Sequence, residues 1–204
     1  MTRHAAAKNL AVLGICAATA VCALYVAKSP AQSAQTASDA SPIYGVRIPE
    51  GYRNWGLISI NHLTGASLNM SPGAKAMMAG ALRQLRAQLG NDIAIKAFQE
   101  GKRPFPDGAI IAALHFTEVT SDANNKVLAG GFPDAGLDSS VVGTAVNVQF
   151  MVKDSKKYAS SGGWGFADFR NGKPGDEALH NTCFPCHQAA ADRDYVFARY
   201  APTP

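Results

Sequence analysis

The sequence predicts an α+β fold, a mainly antiparallel β-sheet with flanking helices. Three observations carry it. Several short stretches run β-rich or alternate apolar with polar residues between turn signals. Other stretches space their apolar residues three and four apart, as helices do. No internal repeat is visible, so the elements belong to one mixed core rather than to an array.

At 47% apolar and 17% charged over 204 residues, the chain fits one globular domain with extra segments. Arg3 and Lys8 precede an apolar run over residues 10–27, and a polar, small-residue stretch follows to residue 41. That is the pattern of an export signal. The run is longer than a usual signal core and close to the shortest spanning helix, so residues 1–28 read as a signal peptide or an N-terminal membrane anchor. Either way the folded part is expected outside the cytoplasm, periplasmic, secreted by a signal peptide or tethered to the inner membrane. Cys16 and Cys22 sit inside the run and read as small hydrophobes. Residues 29–42, rich in Ser, Ala and Gln, read as a flexible linker, leaving 43–204 as the folded domain. Residues 1–28 hold three basic and no acidic residues, which leaves 16 basic against 15 acidic in the remainder. A nearly neutral domain gives no reason to expect nucleic-acid binding.

Along the domain, residues 57–60 read as a strand after the turn-forming Pro49-Glu50-Gly51. Residues 75–99 read as a helix from the spacing of Met78, Leu82, Leu85 and Leu89, interrupted at Gly90-Asn91. Turn chemistry over residues 104–108 launches an apolar strand over 109–119, which ends in the turn signal of residues 121–125. Residues 130–143 are loop-like. A strand over 145–152 places Val148, Phe150 and Val152 on one face and Asn147, Gln149 and Met151 on the other. Another strand covers 164–169, and Asp176-Glu177 after Pro174-Gly175 opens a helix near the C-terminus.

That helix carries or adjoins Cys183-Phe184-Pro185-Cys186-His187, a C-x-x-C-H sequence. This is the attachment signature of one covalent haem c. Two thiols at this spacing add to the two haem vinyl groups, and the adjacent imidazole becomes the proximal iron ligand. Composition alone produces such a match about 0.002 times per chain. A redox dithiol is the nearest alternative, but those sites open a helix early in a βαβ unit, and no strand follows here. A zinc site built with His62, His115 or His180 lacks a convincing fourth ligand. A Cys183–Cys186 disulfide would be strained by its short loop.

The sixth iron position decides what such a haem does. No Met follows His187; Met70, Met77 and Met78 read as packing, and Met151 is a candidate. His115 shares a strand face with Ile111 and Ala113 and is a second candidate, against a plain reading as a hydrogen-bonded core histidine. His180, two helical turns before His187, reads as a cap or surface residue, and His62 as exposed.

Further stretches extend the picture: Tyr44-Gly45-Val46-Arg47-Ile48-Pro49-Glu50-Gly51-Tyr52-Arg53, Leu89-Gly90-Asn91-Asp92-Ile93-Ala94-Ile95-Lys96-Ala97, Pro104-Phe105-Pro106-Asp107-Gly108, Gly163-Trp164-Gly165 and Val196-Phe197-Ala198-Arg199-Tyr200. So does the stretch from Val148 to Lys156. Together with the Cys motif they resemble the cytochrome P460 family, including the β-sheet cytochromes c′, over residues 44–202. The resemblance implies a mostly antiparallel sheet, commonly a homodimer, and a five-coordinate haem c whose open distal face takes NO, CO or hydroxylamine. In cytochromes P460 proper a Lys on the strand after the Asp-Gly turn is cross-linked to the haem, and the enzyme oxidises hydroxylamine. Ala113 stands at that position here. It cannot make the bond, which makes the chain more similar to the β-sheet cytochromes c′; Lys96 and Lys102 read as solvated surface residues.

The expected function is therefore an exported monohaem c-type cytochrome with an open distal site that binds or handles small nitrogen oxides such as NO. The alternatives are a hydroxylamine-oxidising enzyme and a six-coordinate electron-transfer cytochrome. Each implies a redox partner, itself a cytochrome. No proton-transfer carboxylate is assigned, since Glu118 and Glu177 read as a strand-end charge and a helix N-terminal acid.

Overall fold

The computed structural model describes residues 39–63 and 83–201. The apolar run, most of the linker, residues 75–82 of the expected helix and four of the five methionines lie outside those residues. Ser41, at the end of the expected linker, is already buried in the fold: its hydroxyl donates to the Phe166 carbonyl at 3.1 Å.

Six antiparallel strands form one sheet, β1 (Gly56–Leu63), β2 (Gln84–Gly90), β3 (Ile110–Thr120), β4 (Ser140–Lys153), β5 (Trp164–Arg170) and β6 (Lys173–Pro174). Their spatial order is their chain order. Four of them answer to the sequence pattern, and β4 begins earlier than expected, taking in residues 140–143 that read as loop.

β2 corrects the helix expected over residues 75–99. Leu85 and Leu89 are four residues apart, a spacing that shares a face in a helix and in a strand alike. The pairings Leu85↔His62 and Leu85↔Phe116 supply ladder hydrogen bonds on both edges, and this tertiary gain overrides the local pattern. Among the described residues of the expected helix, Asp92–Gln99 are helical, as α1. Its cap is Asn91, whose Oδ1 accepts from Ala94 N and from Ile110 N, both at 3.0 Å, while Nδ2 donates to Gly108 O at 2.8 Å. One side chain thus fixes the start of α1 to the start of β3.

The turn signal at 121–125 is a helix start instead. Ser121 accepts from Asn124 N and caps α2 (Asp122–Gly131), which joins β3 to β4. Ser and Asn serve turns and N-caps through the same side-chain-to-backbone bond, so the signal fits both.

The sheet is covered on both faces. One face packs Ala112, Leu114, Phe150, Ala167 and Phe169 against Val46 and Tyr158. The other packs Ile58, Ile111, Met151, Trp164 and Phe166 against α1 and the C-terminal segment. That segment crosses the second face from the β5 edge to the β1 edge, where Ala201 N donates to Ile58 O at 2.8 Å.

Candidate functional site

Two short helices, α3 (Glu177–His180) and α4 (Cys183–His187), carry the Cys motif. Asp176 caps α3 by accepting from Leu179 N at 2.8 Å. His180, expected as a cap or surface residue, is fully buried instead: Nε2 accepts from Asp168 N at 3.1 Å and Nδ1 bonds Asp176 O at 2.7 Å. Both its nitrogens are used in tying α3 to β5, so it is a structural pin and no iron ligand. Pro185 sits in the first turn of α4, where a missing N–H costs nothing.

After α4 a 3₁₀ turn (Gln188–Arg193) ends in two successive left-handed residues, Asp194 (φ 54°) and Tyr195 (φ 66°). They turn the chain back so that Tyr195 O meets His187 Nδ1 at 2.7 Å. The bond leaves Nε2 without a partner among the described residues. The ring stands 4.9 Å from Phe166 and 5.1 Å from Phe197, centroid to centroid. Burial holds the His187 pKa below the ordinary imidazole value, partly offset by the bond to Tyr195, so the ring is neutral and able to donate an electron pair.

Cys183 and Cys186 are free thiols three residues apart on α4. Cys183 is pushed up to about 11, by burial first and then by the nearby Asp168 and Cys186. A redox dithiol needs a lowered thiol pKa, and this one is raised. Among the described residues no three His, Cys, Asp or Glu side chains converge as a zinc site requires.

Opposite the C-terminal segment, the sheet face changes character along its strands. Toward β4's end it is apolar, with Ile111, Met151 and Phe166. Past Ala113, which pairs with Gln88 and Gln149, it becomes polar, with Arg86, His115, Asn147 and Asp168. His115 is buried, its Nδ1 3.1 Å from Gln84 Oε1, and burial beside Arg86 lowers its pKa to about 4. Met151 is packed in the apolar cluster that also holds Cys183 and Phe184. Lys96 is exposed and pairs with Glu100, and Lys102 is exposed. His62 is one-third exposed and pairs with Glu118 at 3.0 Å.

A family model for Cytochrome P460 matches residues 49–198. The chain belongs to the cytochrome P460 family. No curated protein matches it. Membership brings haem iron with it, and the donor set fits: two thiols and an available imidazole nitrogen on one helical turn, facing a sheet of mixed polarity. When bound, the haem supplies redox and ligand-binding chemistry at iron. The cytochrome's own residues offer a donor imidazole, the carbonyl that orients it and a polar sheet face.

Two features of that face escape sequence reasoning. Asp168 is 2% exposed; its Oδ2 accepts from Asn147 Nδ2 and, at 2.9 Å, from Gln149 Nε2, while Oδ1 has no hydrogen bond. Arg170 Nε lies 3.8 Å from Oδ1, too far to satisfy it. An acid within the otherwise apolar run Trp164 to Phe169 was the available signal, since such a residue is buried only for a reason. Lys153, buried at the end of β4, is the second.

Proposed function

We propose that this cytochrome is an exported monohaem haem-c protein whose open iron position binds small nitrogen oxides such as NO. Cys183 and Cys186 form the two thioethers, and His187 Nε2 is the proximal ligand. Ala113 carries this reading: it holds the strand position where the resemblance puts a cross-linking Lys, level with Gln88 and Gln149 on the neighbouring strands, and a methyl group cannot make that bond. Support comes from one sixth-ligand candidate, since Met151 is packed in the apolar cluster with Ile111 and Phe166. The export pattern of residues 1–28 supports a periplasmic location, free or tethered, and a partner cytochrome as redox exchanger.

Optical spectra of the purified domain, oxidised, reduced and reduced with NO, taken beside intact and peptide masses, test this. A high-spin haem that forms a nitrosyl, attached through two thioethers only, is expected. A low-spin haem inert to NO overturns it and means an electron carrier.

Asp168 favours a second reading, hydroxylamine oxidation, in which protons leave the substrate as electrons do. A buried carboxyl with one unpartnered oxygen near the haem-binding segment suits proton transfer. Turnover of hydroxylamine that is lost in Asp168→Asn supports it; a haem that binds hydroxylamine without turnover sinks it.

A further inference from the structure

Lys153 is 5% exposed, and a buried ammonium survives only when its donors are filled. Its Nζ meets Asp194 Oδ1 at 2.8 Å, Asp194 Oδ2 at 2.9 Å and Gly162 O at 3.1 Å, which uses all three donors. The Trp164 ring lies 4.9 Å from it. Asp194 is equally enclosed, its side chain 8% exposed, and its Oδ2 also accepts from Phe105 N at 2.8 Å.

A buried ion pair is weak evidence for stability, because an apolar pair of the same volume serves as well. Its geometry is the informative part. Asp194 is the first of the two left-handed residues that reverse the chain, and a non-glycine residue holds that conformation only where its surroundings impose it. Lys153 and Phe105 N impose it from two separate elements. Gly162 closes the arrangement, since its carbonyl takes the third Lys153 proton and its lack of a side chain admits the Tyr195 ring: a Cβ there would stand 2.2 Å from Tyr195 Cε2. The product of these restraints is the position of one atom, Tyr195 O, which accepts from His187 Nδ1 at 2.7 Å.

We infer that the Lys153–Asp194 pair is a positioning device for the iron ligand: it locks the Asp194–Tyr195 turn so that the Tyr195 carbonyl orients the His187 imidazole and sets its donor strength. The inference rests on the reading of His187 as proximal ligand. A hydrogen bond from the distant ring nitrogen to a carbonyl makes the ligating nitrogen more basic, so loosening the turn weakens the iron–histidine bond. Weaker donation favours ferrous over ferric iron.

The test uses the haem-loaded protein and three variants: Asp194→Asn, which keeps the shape and tolerates the left-handed backbone, Lys153→Gln, and Lys153→Arg, which keeps the buried charge with a different fork. Two readouts are taken, the ferrous iron–histidine stretching band by resonance Raman and the midpoint potential by spectroelectrochemistry. Thermal unfolding is recorded alongside. Expected are a band moved to lower frequency and a potential moved upward, largest in Asp194→Asn, smaller in Lys153→Gln and smallest in Lys153→Arg. A lowered unfolding temperature with band and potential unchanged in every variant that loads overturns the inference. His187→Ala separates this from failure of the underlying reading. If its haem spectrum matches the parent's, His187 is no ligand and both fall; if it changes while the three variants do not, only the positioning role falls.

Discussion

The two ends of the β3–β4 hairpin are built from the same ladder and live in different environments. At one end Ile111, Ala112, Phe150 and Met151 are buried, because the sheet there is covered on both faces. At the other, Val119, Val141 and Val142 are exposed, and α2 contains no buried residue, with Val127 at 75% exposure. The outer end is held by backbone pairing and by Asn125, whose Oδ1 accepts from Ser139 N at 2.6 Å and from its hydroxyl at 3.1 Å. Backbone pairing sets the path of the chain at both ends. Packing distinguishes them, and the packed end faces the Cys motif.

The sharpest way to break that comparison is to empty a buried position. Trp164 is wholly enclosed, and Trp164→Ala is expected to cost about 3–5 kcal/mol in urea unfolding of the haem-loaded protein. Val142→Ala at the outer end is expected to cost no more than about 0.5 kcal/mol. Similar losses at both sites would mean that the outer end is packed against something in solution.

Acid comes next in size. His115 carries a pKa of about 4 in the folded chain against 6.5 when unfolded, so the unfolded chain binds a proton first as pH falls. Stability is then expected to drop between pH 6.5 and 4, by up to about 3 kcal/mol, and to recover as pH rises through that window. Replacing His115 with Gln should flatten that slope in chemical unfolding series; an unchanged slope would put the titration elsewhere.

Glycines give the finest contrast. A Cβ on Gly165 would stand 2.4 Å from Tyr158 Cζ, and Gly165→Ala is expected to lower stability by about 1–3 kcal/mol through overpacking. Gly130 in α2 meets open space at negative φ, so Gly130→Ala is expected to raise stability by about 0.4–1 kcal/mol in the same assay. Reversed signs would invert the assignment of the packed and open ends.

These contrasts also mark what could be read from the residues alone. β1, β3, β4 and β5 were legible because strand alternation and turn residues are local signals. β2 was not, since Leu85 and Leu89 fit both periods and only the intervening Ala87 with Gln84, Arg86 and Gln88 favours a strand. The Cys motif was legible because its chemistry demands contiguous residues. Lys153 and Asp194 lie 41 residues apart, and each alone looks like an ordinary surface charge; only the turn that Tyr195 completes brings them together. His180 misled for the same reason, its two partners Asp168 and Asp176 being supplied by the folded sheet edge and the α3 cap.

The order of the strands bears on how the molecule assembles in time. Each strand pairs with its neighbour in sequence, so every pairing in the sheet is between consecutive elements, which keeps contact order low for a β protein. The C-terminal strap is different, because its bond from Ala201 to Ile58 closes a loop nearly as long as the domain. Substitutions in the strap should therefore accelerate unfolding while leaving the refolding rate almost untouched. The lifetime of the native state is then set by the same segment that holds the Cys motif.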